Sequence, residues 1–423
     1  MGKVCRIGLD IAKEYFQVHG VDKNGKDMFN RKLKRKNVLA FFANLPPCLV
    51  GLEACGGAHY WAREISKLDV GHTVKLVSPR HVKPFVLNNK TDAADARAIC
   101  EVVGRPSTRF VTVKTVEQQD LAAWHRIRER KVKERTSLAN QARSLLLEQG
   151  IIVPKGIACI HKFLPSVIED IENRLSMTAR DYLSELYAEF VNCDELVAKY
   201  ESRIIAFAKN DEACKRLQKI PGVGPLTATA IVAHAGDATE YKNGRAFAAS
   251  LGLTPKEHSS GGKQKLLGVS KRGNSTIRKL LIQGARIITR YALARQDGSY
   301  PVQKWIQGVA TRRGRQIAAV ALANKTARII WNLLAKKEEY RPAMAEDKKS
   351  ASQEKNVPAT TNVQDMTGKR SNRLSETLVD TQAVNAVGVI RTESANSIMA
   401  LGKCSLKRCR IHDRIRSFCS ELS

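Results

Sequence analysis

Four acidic residues occupy unusual positions in a strongly basic chain. Asp10 and Glu53 each end a short apolar run, in GLD and in GLE, that is predicted to be a strand. Asp92 and Asp95 lie three residues apart in NKTDAADARA, a spacing that places both on one face of a helix. Taken singly, each has an ordinary explanation: Asp92 suits a helix start, and Asp95 suits a surface position beside Arg97.

Taken together, the four acids indicate a divalent-metal site. Carboxylates at the ends of neighbouring strands converge, and their repulsion is tolerated when a cation lies between them. Two strand-end carboxylates and a helix-borne pair form an arrangement that binds two Mg²⁺ ions for in-line phosphoryl transfer. We therefore expect two Mg²⁺ ions, with Mn²⁺ as a possible substitute. The ten cysteines form no C-x-x-C pair, so no zinc site is expected.

A serine-rich loop, Ser259-Ser-Gly-Gly-Lys263, is the second candidate for chemistry. A hydroxyl nucleophile needs exposure and activation, and this flexible segment lies among cations that would stabilise a phosphorane-like charge. However, no base is evident, because His258 is too near in sequence to turn back. The residues alone favour a phosphate-binding loop, with Lys263 and Lys265 as contacts and no covalent chemistry.

The charge balance indicates a polyanionic partner. Lys and Arg number 71 against 41 Asp and Glu in 423 residues, a formal charge of +30. Nucleic acid is the leading partner, because such an excess destabilises a compact fold unless a polyanion shares the surface. With no signal peptide and no apolar stretch near about 18 residues, we expect a cytoplasmic protein with no membrane partner.

Candidate nucleic-acid contacts come from glycines and from cations. The segment Ile220-Pro-Gly-Val-Gly224 predicts a helix-hairpin-helix whose turn, with Gly222 and Gly224, brings backbone amides close to a phosphate. An ordinary glycine-rich helix connection is the alternative. The cations that suit the backbone of duplex DNA or structured RNA are Arg126, Arg128, Arg130, Arg135, Arg143, Lys263, Lys265, Lys271, Arg272, Arg278 and Lys279, many of them expected to be merely solvated.

The elements that must position these residues divide the chain into four parts. Residues 1–112 alternate strand-like and helix-like segments and predict an α/β domain with a mixed sheet. Residues 113–213 are predicted to be a helical, coiled-coil linker and oligomerisation region, and 214–337 a mostly helical domain. Residues 338–423 are predicted to be disordered, because their polar composition cannot offset the entropy of ordering. The predicted strands are Val4–Asp10, Tyr15–Val21, Met28–Leu33, Cys48–Glu53 and His72–Val77, with a turn at Asn24-Gly25 and a long helix from Val116 to Gln149.

A coiled-coil pattern runs from Leu183 to Phe207. Apolar residues recur at alternating spacings of three and four, the a and d positions of more than three heptads. This pattern predicts a helical hairpin within the chain or a seam between two chains, and we favour self-association. One helix of an intramolecular bundle is the alternative.

With these residues in view, the chain resembles the DEDD-type insertion-sequence transposases. That family combines a RuvC-like N-terminal domain of RNase H fold with a C-terminal transposase domain, and its members act as bridge-RNA-guided recombinases. The resemblance covers about residues 4–335. The family's four acids fall on Asp10 in GLDIAK, Glu53 in EACGG, and Asp92 and Asp95 in NKTDAADARA.

An ordered series of C-terminal motifs extends the resemblance: IPGVG, FAASLGLTP, SSGG and SKRGN. The resemblance implies that Ser260 is a nucleophile that becomes joined to a DNA 5′-phosphate, with Ser259 as the adjacent alternative. It further implies that the metal site activates the serine, through folding or through a second subunit. The expected partners are double-stranded DNA at element ends and target, a structured guide RNA, and further copies of the chain as a homodimer that assembles to a tetramer.

Three functions remain open on the sequence. A recombinase with metal-binding acids and a serine nucleophile would leave protein-linked DNA ends. A RuvC-like, Holliday-junction-type endonuclease would activate water and leave protein-free ends, with Ser260 contacting phosphate only. A basic nucleic-acid scaffold would bind without changing the strands. The order of the motifs favours the recombinase.

Overall fold

A mixed six-stranded sheet forms the core of the N-terminal part. The computed structural model describes residues 3–87, 89, 91–295 and 301–341. In this part of the chain the sheet has the order β3-β2-β1-β4-β5-β6, in which β1 pairs antiparallel with β2 and parallel with β4. The predicted mixed sheet is confirmed, and β6 was not predicted. The strands are β1 (Arg6–Ile11), β2 (Tyr15–Val21), β3 (Asp27–Lys34), β4 (Leu49–Glu53), β5 (Thr73–Val77) and β6 (Phe110–Val111).

Helix α4 lies against the centre of this sheet because two glycines remove the side chains in between. A Cβ on Gly8 of β1 would lie 2.0 Å from the carbonyl oxygen of Ala96, and one on Gly51 of β4 would lie 2.8 Å from the Cβ of Val103. The first turn of α4 is therefore held at the carboxyl end of β1. The helices of this part are α1 (Val38–Ala43), α2 (Ala58–Ser66), α3 (Pro79–Val82) and α4 (Asp92–Val103).

Two long helices form an antiparallel hairpin beyond the sheet. Helix α5 (Val116–Glu148) begins with a capping box between Thr115 and Gln118, and α6 (Ile157–Glu169) connects it to α7 (Met177–Asn210). Arg128 of α5 pairs with Glu201 of α7. Further along α5, Arg135 pairs with Asp194, which comes earlier in α7, so the two helices run in opposite directions.

The coiled-coil pattern of α7 is covered within the same chain. Leu183, Phe190 and Cys193 share one apolar cluster with Leu146 of α5 and Ile160 of α6. Of the two arrangements predicted, the intramolecular hairpin is therefore the one adopted. Self-association of the chain stays a prediction, but the part of this stripe that neighbouring helices bury is not free to pair with a second chain.

The C-terminal part is mostly helical, as predicted. Helices α8 and α9 flank the glycine-containing turn at 219–224, and Phe247 and Leu281 are fully or almost fully buried in the core beside them. The part of the predicted tail beyond residue 341 lies outside the described residues. Among the described helices, none is long and apolar enough to cross a membrane. The elements are α8 (Glu212–Gln218), α9 (Pro225–Ala235), α10 (Gly244–Ser250), β7 (Pro255–Glu257), β8 (Leu266–Val269), α11 (Ser275–Ala294), α12 (Pro301–Arg313) and α13 (Arg315–Lys336).

Candidate functional site

The strand register places two of the predicted acids side by side. Leu9 of β1 is paired with Leu52 of the parallel strand β4. The residues that come next, Asp10 and Glu53, therefore lie on neighbouring strands near the same end of the sheet. Both are half-buried. Parallel pairing brings the carboxyl ends of both strands to one edge, which is why two acids 43 positions apart become neighbours.

The first turn of α4 contributes the other two acids. Asp92 begins the helix and is exposed, while Asp95 lies one turn further and is half-buried. The hydroxyl of Thr91 accepts a hydrogen bond from the backbone N–H of Ala94 at 3.2 Å and so caps the helix. Because Gly8 lets α4 approach β1 closely, this turn is directed to the end of β1.

Electrostatics show that the four acids form one cluster. Burial and the negative charges of Asp95, Asp92 and Glu53 raise the pKa of Asp10 to about 6. A neighbouring carboxylate disfavours the ionised form of another, and all three act on Asp10 in addition to the larger effect of burial. The structure thus brings together the four acids that were singled out in the sequence.

The donors of this cluster fit a hard divalent cation, although their side chains are not yet arranged around one. Carboxylate oxygens are the ligands that Mg²⁺ prefers, and an ion would offset the mutual repulsion. Among the described residues, however, no group of three His, Cys, Asp or Glu side chains is placed to hold a metal ion. Binding would therefore require the carboxylates to rotate toward a common centre.

The serine segment forms a β-hairpin. Strands β7 and β8 are paired antiparallel, and Gly261 and Gly262 adopt left-handed φ values of 56° and 73° at the turn. Because glycine adopts this conformation without the Cβ clash of other residues, the GG pair allows the chain to reverse here. A flexible loop was predicted at this point and the hairpin was missed, because the GG pair is the hairpin signal here and the segment Pro255–Glu257 before it has no apolar pattern.

The two serines of the hairpin have different roles. The hydroxyl of Ser259 donates to the Oε1 atom of Glu257 at 2.8 Å and accepts from the N–H of Lys265 at 3.2 Å. Ser260 uses its backbone, whose carbonyl accepts from the N–H of Lys263 at 3.1 Å, and the residue is exposed. Ser259 thus holds the hairpin together, whereas the hydroxyl of Ser260 has no hydrogen-bond partner among the described residues.

Ser260 and the acid cluster lie in different parts of the chain. Ser260 belongs to the hairpin in the C-terminal part, whereas Asp10 and Glu53 belong to the N-terminal sheet. The hydrogen bonds of the Ser259 hydroxyl and of the Ser260 carbonyl stay within the hairpin. The sheet and the hairpin therefore present two separate chemical groups in one chain.

Several predicted nucleic-acid contacts are used inside the protein. The Nη1 atom of Arg278 donates to the carbonyl of Leu251 at 2.9 Å, and the Nζ atom of Lys279 donates to Glu129 at 2.7 Å. Gly222 lies against α11, since a Cβ there would be 3.0 Å from the carbonyl oxygen of Gly284. Arg128, Arg135 and Arg143 are likewise bound within the helical hairpin, to Glu201, to Asp194 and to backbone carbonyls.

Other cations of the predicted set remain available to a partner. Arg126 and Arg130 are exposed on α5, and Gly224 is exposed at the start of α9. Lys271 has a left-handed φ of 55°, held by a hydrogen bond from its N–H to the carbonyl of Gly252. The exposed cations that have no ion-pair partner among the described residues are Arg126, Arg130, Lys263, Lys265, Lys271 and Arg272.

Comparison with known proteins identifies similar sequences along most of the chain. A family model of DEDD-type transposases matches residues 7–150. A second model, described as the transposase IS116/IS110/IS902 family, matches residues 214–300. The first match contains the four acids, and the second contains the serine hairpin.

Curated relatives extend over four fifths of the chain. A probable family 20 transposase of Pseudomonas aeruginosa is 47% identical over 340 residues, which are 80% of this chain and 99% of the relative. The transposase for insertion sequence element IS1111A of Coxiella burnetii is 44% identical over 79% of this chain and 91% of its own length. The transposase for IS1328 of Yersinia enterocolitica is 42% identical over 78% of this chain and 97% of its own length.

Proposed function

The chain belongs to the IS116/IS110/IS902 family of insertion-sequence transposases, which are DNA recombination enzymes, and from that premise we propose how its residues cut and rejoin DNA. The observation that carries the proposal is the convergence of Asp95, Asp92 and Glu53 on Asp10. Such a cluster is costly for stability, because the carboxylates repel one another, and this cost is typical of a site kept for chemistry. We assign it as a Mg²⁺ site.

When bound, Mg²⁺ would lower the cost of the charge that develops at the scissile phosphate. Asp10, Glu53, Asp92 and Asp95 are the residues that would hold it. Two of these residues lie on strands and two lie in the first turn of a capped helix. Because no loop carries them, their backbone positions are well defined.

Ser260 is the proposed nucleophile. Its Oγ attacks the phosphorus of the scissile phosphodiester, so that the Oγ–P bond forms and the bond from phosphorus to the 3′ oxygen breaks. The serine proton passes to water, and the leaving 3′ oxygen takes up a proton from water to become a 3′ hydroxyl. Attack by another 3′ hydroxyl reverses the step, joins the new strands and restores the serine.

The hydrogen bonds of the hairpin support Ser260 rather than Ser259. The Ser259 hydroxyl donates to Glu257 and accepts from the N–H of Lys265. If Ser259 acted as the nucleophile, these two hydrogen bonds would be lost and the hairpin would be less stable. Ser260 is exposed beside Lys263, whose charge would stabilise the pentavalent phosphate.

We infer that the complete site forms only in an assembly on DNA. The acids lie on β1, β4 and α4, whereas Ser260 lies on the hairpin of the C-terminal part, and strand exchange between two duplexes needs several nucleophiles. We therefore propose a dimer that assembles to a tetramer, with the acids of one subunit serving the serine of another. A structured guide RNA is proposed as the source of target choice, because pairing with RNA would leave the protein to bind backbone only.

An adduct assay tests the proposal. Purified protein is incubated with Mg²⁺, its co-purifying RNA and labelled element-end DNA, and a protease-sensitive protein–DNA adduct is measured. We expect the adduct in the wild type and in Ser259→Ala, at reduced yield, and no adduct in Ser260→Ala or Asp10→Asn. Digestion of the RNA beforehand should abolish adduct formation if target choice depends on RNA.

A hydrolytic, junction-type nuclease is the second candidate function. The observation in its favour is that Ser260 lies on a different element from the acids, which could activate water without it. In that case Ser260→Ala would still cleave DNA, and the ends would be free of protein. This result would reject Ser260 as the nucleophile and leave the metal site as the proposed catalytic centre.

A further inference from the structure

A small polar cavity lies between α5, α9 and the start of α11, away from the acid cluster and from the serine hairpin. Its volume is about 100 Å³. The groups that matter are the ammonium of Lys114, the guanidinium of Arg126 and the imidazole of His234, which all line it. A cavity of this volume has room for a small oxyanion, since about 10–15 Å³ by this measure already holds one water molecule.

Two cations line this cavity against one acid, and that acid is bound by other groups. Neither Lys114 nor Arg126 has a hydrogen bond or ion pair from its side chain among the described residues. Glu129 also lines the cavity, but its two oxygens accept from the hydroxyl of Thr276 and from Lys279, each at 2.7 Å. Burial and then the charge of Arg126 lower the pKa of Lys114, the direction expected when like charges are held together.

His234 adds a buried donor without an acceptor. The Oδ1 atom of Asn274 accepts from the N–H groups of Thr276 and Ile277, so its amide nitrogen is the group that faces the Nδ1 atom of His234, at 3.4 Å. Nδ1 is then an acceptor, and a neutral imidazole must carry its proton on Nε2. Burial and Lys114 lower the pKa of His234 to about 4, so the ring is neutral. Its Nε2 atom is buried and has no hydrogen-bond partner.

We propose that this cavity, which we call the α5–α9 pocket, binds one phosphate group through Lys114, Arg126 and the Nε2–H of His234. Two cations and a neutral donor match the several acceptor oxygens of a phosphate, and charge-assisted hydrogen bonds of this kind are the strong ones. The unpaired buried donor and the uncompensated charges each cost stability until such an anion is present.

The phosphate has two possible sources, a nucleic-acid backbone or free phosphate. The backbone source rests on the proposed function, whereas binding of the phosphate group itself does not. Arg126 lies exposed at the mouth of the pocket and Lys114 is half-buried, so a backbone phosphate could enter from outside.

Calorimetric titration with inorganic phosphate at constant ionic strength tests the pocket in the full-length chain. We expect the Kd for phosphate to rise at least tenfold in Lys114→Met and in Arg126→Met, since each removes one charge-assisted contact of the kind worth about 1.5–3 kcal/mol. Lys199→Met is the matched control. It removes one exposed charge from α7, outside the lining of the pocket, and it should leave the Kd unchanged.

The variants separate binding from folding. Lys114→Met removes a partly buried charge without a partner, so we expect its Tm to be no lower than that of the wild type. Should it nevertheless fail to fold, Arg126→Met tests the pocket from its exposed mouth. Wild-type protein that binds no phosphate at millimolar concentration, or equal binding by the wild type and the folded variants, would overturn the proposal.

A second arm identifies the source of the phosphate. The titration is repeated with protein saturated by duplex DNA or by the co-purifying RNA. We expect either nucleic acid to block phosphate binding, which supports a backbone phosphate. Unchanged binding would reject the backbone and assign the pocket to free phosphate. A protein that binds phosphate here and forms no DNA adduct would refute the proposed function and leave the pocket intact.

Discussion

At the scale of single residues, the acid cluster shows a conflict between stability and chemistry. Asp10 is half-buried and faces three other carboxylates, which, with burial, raise its pKa to about 6 from its ordinary value of 3.8. The ionised form is therefore disfavoured in the folded protein relative to the unfolded chain. A residue that lowers stability in this way is one whose removal should strengthen the fold.

We predict that Asp10→Asn increases the free energy of unfolding while it abolishes strand cleavage. The full displacement of the pKa corresponds to roughly 3 kcal/mol, and solvent screening at this partly exposed site reduces the expected gain to about 1 kcal/mol. The measurement is urea unfolding at pH 7 in EDTA. Asp69→Asn, at an exposed position, is the control and should change little. A less stable Asp10→Asn would contradict the repulsion argument.

At the scale of elements, the position of α4 decides whether the acids meet. Asp92 and Asp95 belong to the helix, and Asp10 belongs to the strand beneath it. The two elements approach closely only because Gly8 has no side chain. The site therefore depends on a residue that takes no part in chemistry.

We predict that Gly8→Ala destabilises the protein and impairs cleavage together. The added Cβ would lie 2.0 Å from the carbonyl oxygen of Ala96, so α4 must move outward, at an expected cost of about 1–3 kcal/mol. Thermal unfolding and the cleavage rate are the measurements. Gly308→Ala, in α12 with open space around it, should be neutral or slightly stabilising. Wild-type cleavage by Gly8→Ala would show that the acids do not need this close contact.

The hairpin of α5 and α7 leads to a test of where the coiled-coil pattern is used. We predict that Phe190→Ala lowers the free energy of unfolding by about 3–5 kcal/mol, because it removes a fully buried ring. The loss should be the same at low and high protein concentration, since the seam lies within one chain. Glu189→Ala, exposed on the same helix, is the control. A loss that grows on dilution would instead indicate a seam between chains.

At the scale of the whole molecule, positive charge and buried histidines limit the conditions under which the fold is stable. The formal charge of +30 makes the free protein self-repelling. Burial first, and then neighbouring cations, lower the pKa values of His59, His125 and His234 to about 4. Between about pH 4 and pH 6.5, all three histidines therefore stay neutral in the folded protein, whereas they become protonated in the unfolded chain.

We predict that stability falls as the pH decreases from about 6.5 to about 4. In this window the unfolded chain takes up protons on these histidines and the folded protein does not, so each contributes a loss of up to about 1.4 kcal/mol per pH unit. Urea unfolding at pH 7 and pH 5, in phosphate-free buffer, measures the slope. His125→Gln should reduce it, and His81→Gln, at an exposed position, should not. Equal slopes in all variants would contradict the prediction.

The sequence by itself determined strands β1 to β5, the long helix α5 and the identity of the four acids. The predicted strand Tyr15–Val21 coincides with β2, and the predicted helix from Val116 ends one residue beyond α5. Apolar runs, capping residues and turn glycines act over a few neighbours, so their effects can be recognised along the chain. The grouping of Asp10, Glu53, Asp92 and Asp95 followed from strand ends and helical spacing, together with the family resemblance.

Only the tertiary structure decided which groups meet. The register of Leu9 with Leu52, the division of roles between Ser259 and Ser260, and the pocket of Lys114 and His234 all depend on contacts between distant segments. The coiled-coil spacing likewise predicted an apolar stripe and not its occupant. Periodicity predicts that an apolar helix face is buried, because its exposure to water is unfavourable. Which element covers that face depends on how the whole chain packs.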